Sequence, residues 1–234
     1  MKGLRYFLGI LCSLAVLVAL LITSVELAAY GDFDYYAKEY TKYDVMSDVD
    51  MELDDLMVVT EHMMAYLRGD QDELQIETIV GGEPRGFFSD REIAHMWDVR
   101  NLFLGGLAVR TTALCIAGAC LIGLLLTKAD FKKVLPASFQ WGTGLFFVIL
   151  AALAGIIASD FDKYFVVFHH IFFTNDLWLL DPRVDLLINI VPQPFFMDMA
   201  ARIGLIFAAF IVALLVISTG LRIYFKKKER TSHV

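Results

Sequence analysis

The side chains that can exchange protons near neutral pH are five histidines, and two of them stand where such exchange is useful. His95 follows the run Ser89-Asp90-Arg91-Glu92, which has the form of a capping box, with Ser89 as N-cap and Glu92 three residues on. It therefore belongs on a helix, with Arg91 one turn before it and Asp98 three residues after. At that spacing Asp98 could orient the imidazole and hold one tautomer; the plainer reading is a solvated cluster of helical charges. His169 lies among Phe161, Phe165, Phe168 and Phe172, whose spacings of four, three and four make one aromatic stripe on a helix. Helical phase puts His169 within that arc and turns His170 about 100° further round. An imidazole bordering aromatic surface is partly desolvated, which favours the neutral form that can act as a base. The plainer reading is a ring anchoring a loop at the headgroup level. His62, among methionines, and His233, in the tail, read as packed or solvated.

The remaining polar positions carry less. Arg110 lies deep in an apolar run and needs a partner there. Asp198 and Arg202 suit pairing or an anionic headgroup, with snorkelling the simpler account of Arg202. Asn175, Asp176 and Trp178 follow the aromatic stripe and could line a site, although a turn explains Asn175-Asp176 equally well. There is no HExxH, no GxSxG elbow and no phosphate-cradling glycine loop. Adjacent His169 and His170 cannot share a helical face as metal ligands. Cys12, Cys115 and Cys120 all lie in apolar runs, so no secreted disulfide framework or cysteine zinc site is available.

These residues must be positioned by a membrane fold. Of the 234 residues, 58% are hydrophobic and only 20% charged. Four long apolar runs account for the excess: 6–29, 101–127, 139–159 and 202–224. The first is longer than a signal-peptide core, so it reads as a retained helix rather than a cleaved leader. Four spans place both termini on one side. Lys2, Arg5, the 128–138 loop and the basic tail 225–234 share that side, which the positive-inside rule assigns to the cytoplasm. The other side receives 30–100, with 18 acidic residues against 6 Lys and Arg, and the aromatic segment 160–201. An acidic outer segment and a net charge of −7 argue against nucleic acid as a partner.

The outer segments should form a mainly helical extracellular cap, giving an all-α protein. Phe33–Tyr43 has the spacing of an interfacial helix, with Tyr35, Tyr36, Tyr40 and Tyr43 suited to the headgroup boundary. Met51–Leu67 predicts a second helix ending at Gly69. Gly81-Gly82 and Pro84 break the chain, and the capped helix of His95 then has no stop signal before the second span, Gly105-Gly106 being its one weak point. Leu102 is seven residues beyond His95, so that imidazole stands about 10 Å outside the span. His169 follows the third span by a comparable distance, so the two can meet at the cap–membrane boundary. The exposed aromatic stripe should lie on the membrane or under the first outer segment. Pro182, Pro192 and Pro194 predict irregular structure before the last span.

Two strings, FFSDREIAHMWDVRNLF (Phe87–Phe103) and FHHIFFTNDLWLLDP (Phe168–Pro182), resemble the signature segments of a four-span Gram-positive membrane family, the lipoprotein intramolecular transacylases. The likeness extends to layout along essentially the whole chain. It implies transfer of the sn-2 acyl chain of a diacylglyceryl lipoprotein from glyceryl oxygen to the α-amine of its N-terminal cysteine, within membrane lipid and without cofactor or metal. It also implies two catalytic histidines, matching His95 and His169. Around them the substrate-binding candidates are Phe165, Phe168, Phe172, Phe173 and Trp178, which would exclude water, and the polar Arg91, Asp98, Arg100, Asn175 and Asp176 of the same segments. Two other classes compete: a non-enzymatic sensor or assembly protein with an acidic cap, and a lipid or lipoprotein hydrolase using the same residues.

Overall fold

A computed structural model describes residues 2–231, so His233 lies outside the described residues. Four helices are long and apolar enough to cross a membrane: α1 (Lys2–Tyr30), α5 (Asp90–Leu126), α6 (Phe131–Ser159) and α9 (Gln193–Thr231), whose apolar part ends at Phe225. The chain divides into two compact units. One is a membrane unit of residues 1–24, 108–161 and 204–234; the other is a cap unit of 25–107 and 162–203.

In the membrane unit α1 is the most enclosed helix. Lipid tails are as apolar as leucine, so helices there gain from close approach rather than from escaping water. Small residues permit that approach. Gly9 of α1 lies against Ser138 of α6, and Ser13 against Gly142, so two pairs four residues apart run in the same direction along both helices. A Cβ added at Gly9 would collide with Ser138 Oγ, and one at Gly142 with Ser13 Oγ. The expected 128–138 loop is much shorter than its sequence suggests. Asp130 caps α6 by accepting from the Lys132 amide at 3.2 Å, so the helix begins at Phe131 and carries the basic pair Lys132-Lys133.

The cap unit is built like a soluble domain. Helices α2 (Asp34–Lys42), α3 (Val45–Val49) and α4 (Leu53–Arg68) enclose a core with Phe87, Phe88, Met96, Leu187, Ile190 and Phe195. The tyrosines of α2 depart from the interfacial expectation. Tyr36 and Tyr40 are core residues, with the Tyr40 hydroxyl 2.7 Å from Thr60 Oγ1 and Tyr36 donating to the Ala29 carbonyl. Their hydroxyls find partners inside the protein, so the rings do not need the headgroup layer. Gly69 closes α4 in the left-handed region, as its position predicts.

The break at Gly81-Gly82 proves to be a hairpin, β1 (Glu77–Val80) pairing antiparallel with β2 (Glu83–Gly86). Both glycines have positive φ, the geometry of a tight two-residue turn. Helix α5 then runs unbroken through Gly105-Gly106, and α7 (Phe161–Phe172) follows α6 after a break at Asp160. The irregular stretch ends earlier than expected. A short α8 (Leu187–Ile190) leads into α9 at Gln193, and Pro194 is tolerated because it sits in the first turn.

The α1–α6 seam yields a test. Gly142→Leu should lower the melting temperature of the purified protein in detergent by several degrees. Gly144→Leu, at a position with open space, should leave it unchanged. Equal melting temperatures for the two variants would show that close approach does not hold the unit together.

Candidate active site

Four side chains meet within the cap unit: His95 from α5, His169 from α7, and Phe173 and Trp178 from the segment after α7. All four are at least nine-tenths buried. The imidazoles face each other with ring centroids 6.2 Å apart and planes tilted by 33°. His95 meets Phe173 edge-on at 5.4 Å. His169 lies between Phe165, at 4.2 Å, and the Trp178 indole, at 4.6 Å.

Hydrogen bonding distinguishes the two rings. His169 Nδ1 lies 2.7 Å from the Phe165 carbonyl oxygen. A carbonyl only accepts, so Nδ1 carries the proton and, in the neutral ring, Nε2 holds the free lone pair. His95 Nδ1 is buried with no hydrogen-bond partner among the described residues, and so is Trp178 Nε1. Buried polar atoms are nearly always satisfied, which makes two unsatisfied ones around one histidine pair a mark of a site rather than of a core.

The expected pairing of Asp98 with His95 is not made. Asp98 instead accepts from Asn175 Nδ2 at 2.8 Å, while Asn175 Oδ1 accepts from the Leu177 amide. Asn175 thus forms its turn and ties it to α5 at once. Arg91, one helical turn before His95, donates to the Asp176 carbonyl at 2.5 Å. Arg100 departs from the site. It lies over the Tyr66 ring and reaches the Asp72 carbonyl, because five residues along a helix from His95 is nearly the opposite face. Phe168 touches His169 edge-on but remains 42% exposed, and Phe172 packs on Phe168 with half its surface free. His170 is exposed, as its helical phase predicts, although its ring still meets the Trp178 indole edge-on at 5.4 Å. Asp198 and Arg202 have partners in the cap unit: Lys42 and Tyr43 bind Asp198, and Arg202 lies over the Tyr35 ring and near Asp32.

Sequence reasoning missed the carboxylates that hold this arrangement. Glu92 forms the expected capping box with Ser89 but is almost wholly buried, and its second oxygen accepts from the Leu187 amide at 2.5 Å. Asp185, also buried, accepts from Ser89 Oγ and from the Asp181 amide. The capping motif announced half of Glu92's role. Nothing local announced Asp185.

Both imidazoles lie outside the four long apolar runs, and both are biased toward the neutral form. Burial pulls His95 down from its ordinary 6.5 to about 4, with the neighbouring His169 and then Arg91 adding to the fall and Asp98 opposing it. Burial also lowers His169, partly offset by the Phe165 carbonyl. Among the described residues no group of three or more His, Cys, Asp or Glu could hold a metal ion.

The class defined by these features is a polytopic helical membrane protein that keeps two neutral imidazoles ring to ring in a cap. A family model for the lipoprotein intramolecular transacylase Lit matches residues 10–196. The chain belongs to that family of membrane acyltransferases. Three solved structures agree, all of the membrane-integral lipoprotein intramolecular transacylase Lit from Bacillus cereus. Identity is 25% in each case. The first covers 99% of this chain and all of that one with a TM-score of 0.74. The others carry one histidine replaced by arginine or by alanine; they cover 99% and 98% of this chain and 96% and 97% of theirs, with TM-scores of 0.75 and 0.76. No curated protein matches the chain significantly. The protein is a multi-pass membrane protein, and its four apolar helices fit the layout of those relatives.

Two measurements follow. Glu92→Gln places an amide donor where a backbone N–H now donates, so it should cost about 1–3 kcal/mol of stability. A variant as stable as the parent would show that the tether is not needed. The histidine shifts also set a pH window. Because the folded values lie below the unfolded 6.5, the stability tied to the neutral rings is complete above 6.5 and falls away toward about 4. The melting temperature should decline over that range, and His95→Gln should flatten the decline.

Proposed function

We propose that this chain catalyses intramolecular transfer of the sn-2 acyl group of a diacylglyceryl lipoprotein to the α-amine of its N-terminal cysteine. The observation that carries the proposal is the buried His95–His169 pair with one tautomer fixed. His169 takes a proton from the attacking amine on Nε2, since Nδ1 is committed to the Phe165 carbonyl. Nitrogen bonds to the ester carbon, neutral His95 donates a hydrogen bond to the developing oxyanion, and the proton taken up by His169 passes to the departing glyceryl oxygen. The C–O bond then breaks, and the product is an N-acylated, monoacylglyceryl lyso-form. No covalent enzyme intermediate is needed. Both reacting groups belong to one molecule, so holding them together supplies much of the acceleration.

Phe165, Phe173 and Trp178 enclose the histidines and keep water from the ester; water in place of the amine would make the same residues a lipase. Arg91, Asp98, Asn175 and Asp176 hold the segment that carries Trp178, a positioning role rather than contact with substrate. The distribution of Lys and Arg supports a topology with both termini in the cytoplasm and the histidines on the outer face, where mature lipoproteins reside.

The test is a synthetic diacylated lipopeptide incubated with purified protein. Transfer leaves the mass unchanged, so an amine-reactive label and fragment ions must be followed together. The expected product has lost its reactive amine at constant mass, with one acyl group on nitrogen. His95→Ala and His169→Ala should each reduce the rate by about 10²–10⁴-fold in folded protein. His170→Ala should remain near the parent. Free fatty acid and a lighter peptide would make the protein a hydrolase, and untouched substrate would point to a non-enzymatic role.

A further inference from the structure

A concave surface lies in the membrane unit, with a lining that shares no residue with the histidine pair. Helices α6 and α9 leave a groove of about 330 Å³ whose walls include Leu135, Pro136 and Phe139 on one side and Leu214, Ile217 and Leu221 on the other. Its lining is almost entirely apolar, but one end is closed by Lys132, whose ammonium lies 5.3 Å over the Phe225 ring. The groove therefore has a hydrocarbon-like body and a cationic mouth.

The surroundings reinforce the sign of that mouth. Lys128, Lys132, Lys133, Arg222 and Lys227 belong to the same end of this unit, against the single acid Asp130 among the described side chains there. Arg222 is steadied by donating to Gln140 Oε1 at 2.6 Å, and Gln140 in turn donates to Thr219. Lys133 pairs with Asp130 at 3.7 Å, which leaves the region strongly positive overall. Ile217, at mid-groove, is 58% exposed within the protein and needs an apolar neighbour. A chain of methylenes satisfies the groove, and an anionic group at its end satisfies the lysine. Basic pockets between spanning helices recognise anionic headgroups on this principle.

We propose that this groove binds an anionic phospholipid of the surrounding bilayer, with one acyl chain along Leu135, Phe139 and Ile217 and its phosphate at Lys132. The site is independent of the acyl-transfer reading, because its lining shares no residue with the histidine pair and the rings around it. A bound lipid would brace α6 against α9, the two least enclosed of the four helices.

The test uses the full-length protein in detergent, with native mass spectrometry and melting temperature as readouts. Phosphatidylglycerol and phosphatidylcholine with identical acyl chains are the probes. The expected result is retention of phosphatidylglycerol over phosphatidylcholine and a larger rise in melting temperature. Lys132→Gln should weaken phosphatidylglycerol retention by about fivefold while leaving phosphatidylcholine unaffected. Ile217→Trp, an exposed position that tolerates bulk, should fill the groove and reduce retention of both. Size-exclusion profile and helicity confirm that each variant is folded. Equal retention of the two lipids by the parent would overturn the proposal, as would undiminished retention by Lys132→Gln. A dimer that dissociates on Ile217→Trp would also overturn it, by making the groove an interface between copies.

Discussion

The cap's chemistry depends on one buried carboxylate. Glu92 sits in the first turn of α5, where helix dipole and unpaired amides favour negative charge, and it accepts from one amide of its own turn and one from the distant Leu187. Among the described residues the donors to its two oxygens are backbone amides. Asp185 mirrors it from the other side through Ser89 Oγ and the Asp181 amide. Arg91 to the Asp176 carbonyl and Asp98 with Asn175 add two further ties. Ser89, Arg91, Glu92 and Asp98 thus clamp residues 175–187 along the first turns of α5. The same helix carries His95 and the clamped strap carries Trp178, which stacks on His169. The geometry of the histidine pair is inherited from that clamp.

The clamp also explains how two imidazoles come to be desolvated at little apparent benefit to folding. A histidine held above its ordinary value would be a cation at neutral pH and useless as a base. Enclosure by Phe165, Phe173 and Trp178 reverses that preference and keeps both rings neutral. The cost appears as two buried polar atoms without hydrogen-bond partners among the described residues, His95 Nδ1 and Trp178 Nε1. Such atoms are tolerated where a ligand supplies the missing partners or where function requires the strain. Water exclusion has a second value for acyl transfer, because the competing nucleophile is water itself.

Local periodicity made much of this legible. The capping box, the unbroken α5, the aromatic stripe of α7 and the outward phase of His170 follow from residues within a few positions of one another. Part of what was not legible depended on distant partners, and part on local signals outweighed by motif or hydropathy. Asp98 was spaced correctly to hold His95, yet Asn175, 77 residues away, takes it. Arg100 belonged to the right motif but the wrong helical face. The α2 tyrosines carried the composition of an interface and became a core once Thr60 and the Ala29 carbonyl met their hydroxyls. At the 128–138 loop a single aspartate decided the boundary, since capping by Asp130 extends α6 where hydropathy alone would stop.

The two units illustrate different ways of holding a chain together. In the cap, burying Tyr40, Leu56, Val59, Phe87 and Ile190 away from water supplies the driving force, and polar clamps then select one arrangement among those the core would allow. In the membrane unit apolar burial has no such value, so shape must do the selecting, and the Gly9–Ser138 and Ser13–Gly142 contacts do it. Helix α6 gains little enclosure beyond that seam, and α9 is equally open. A unit assembled this way leaves its outer grooves to be completed by lipid, while the cap must complete its own. The requirement for a rigid site therefore falls on the cap, where carboxylates and aromatic rings can meet it, and the bilayer is left to finish the rest.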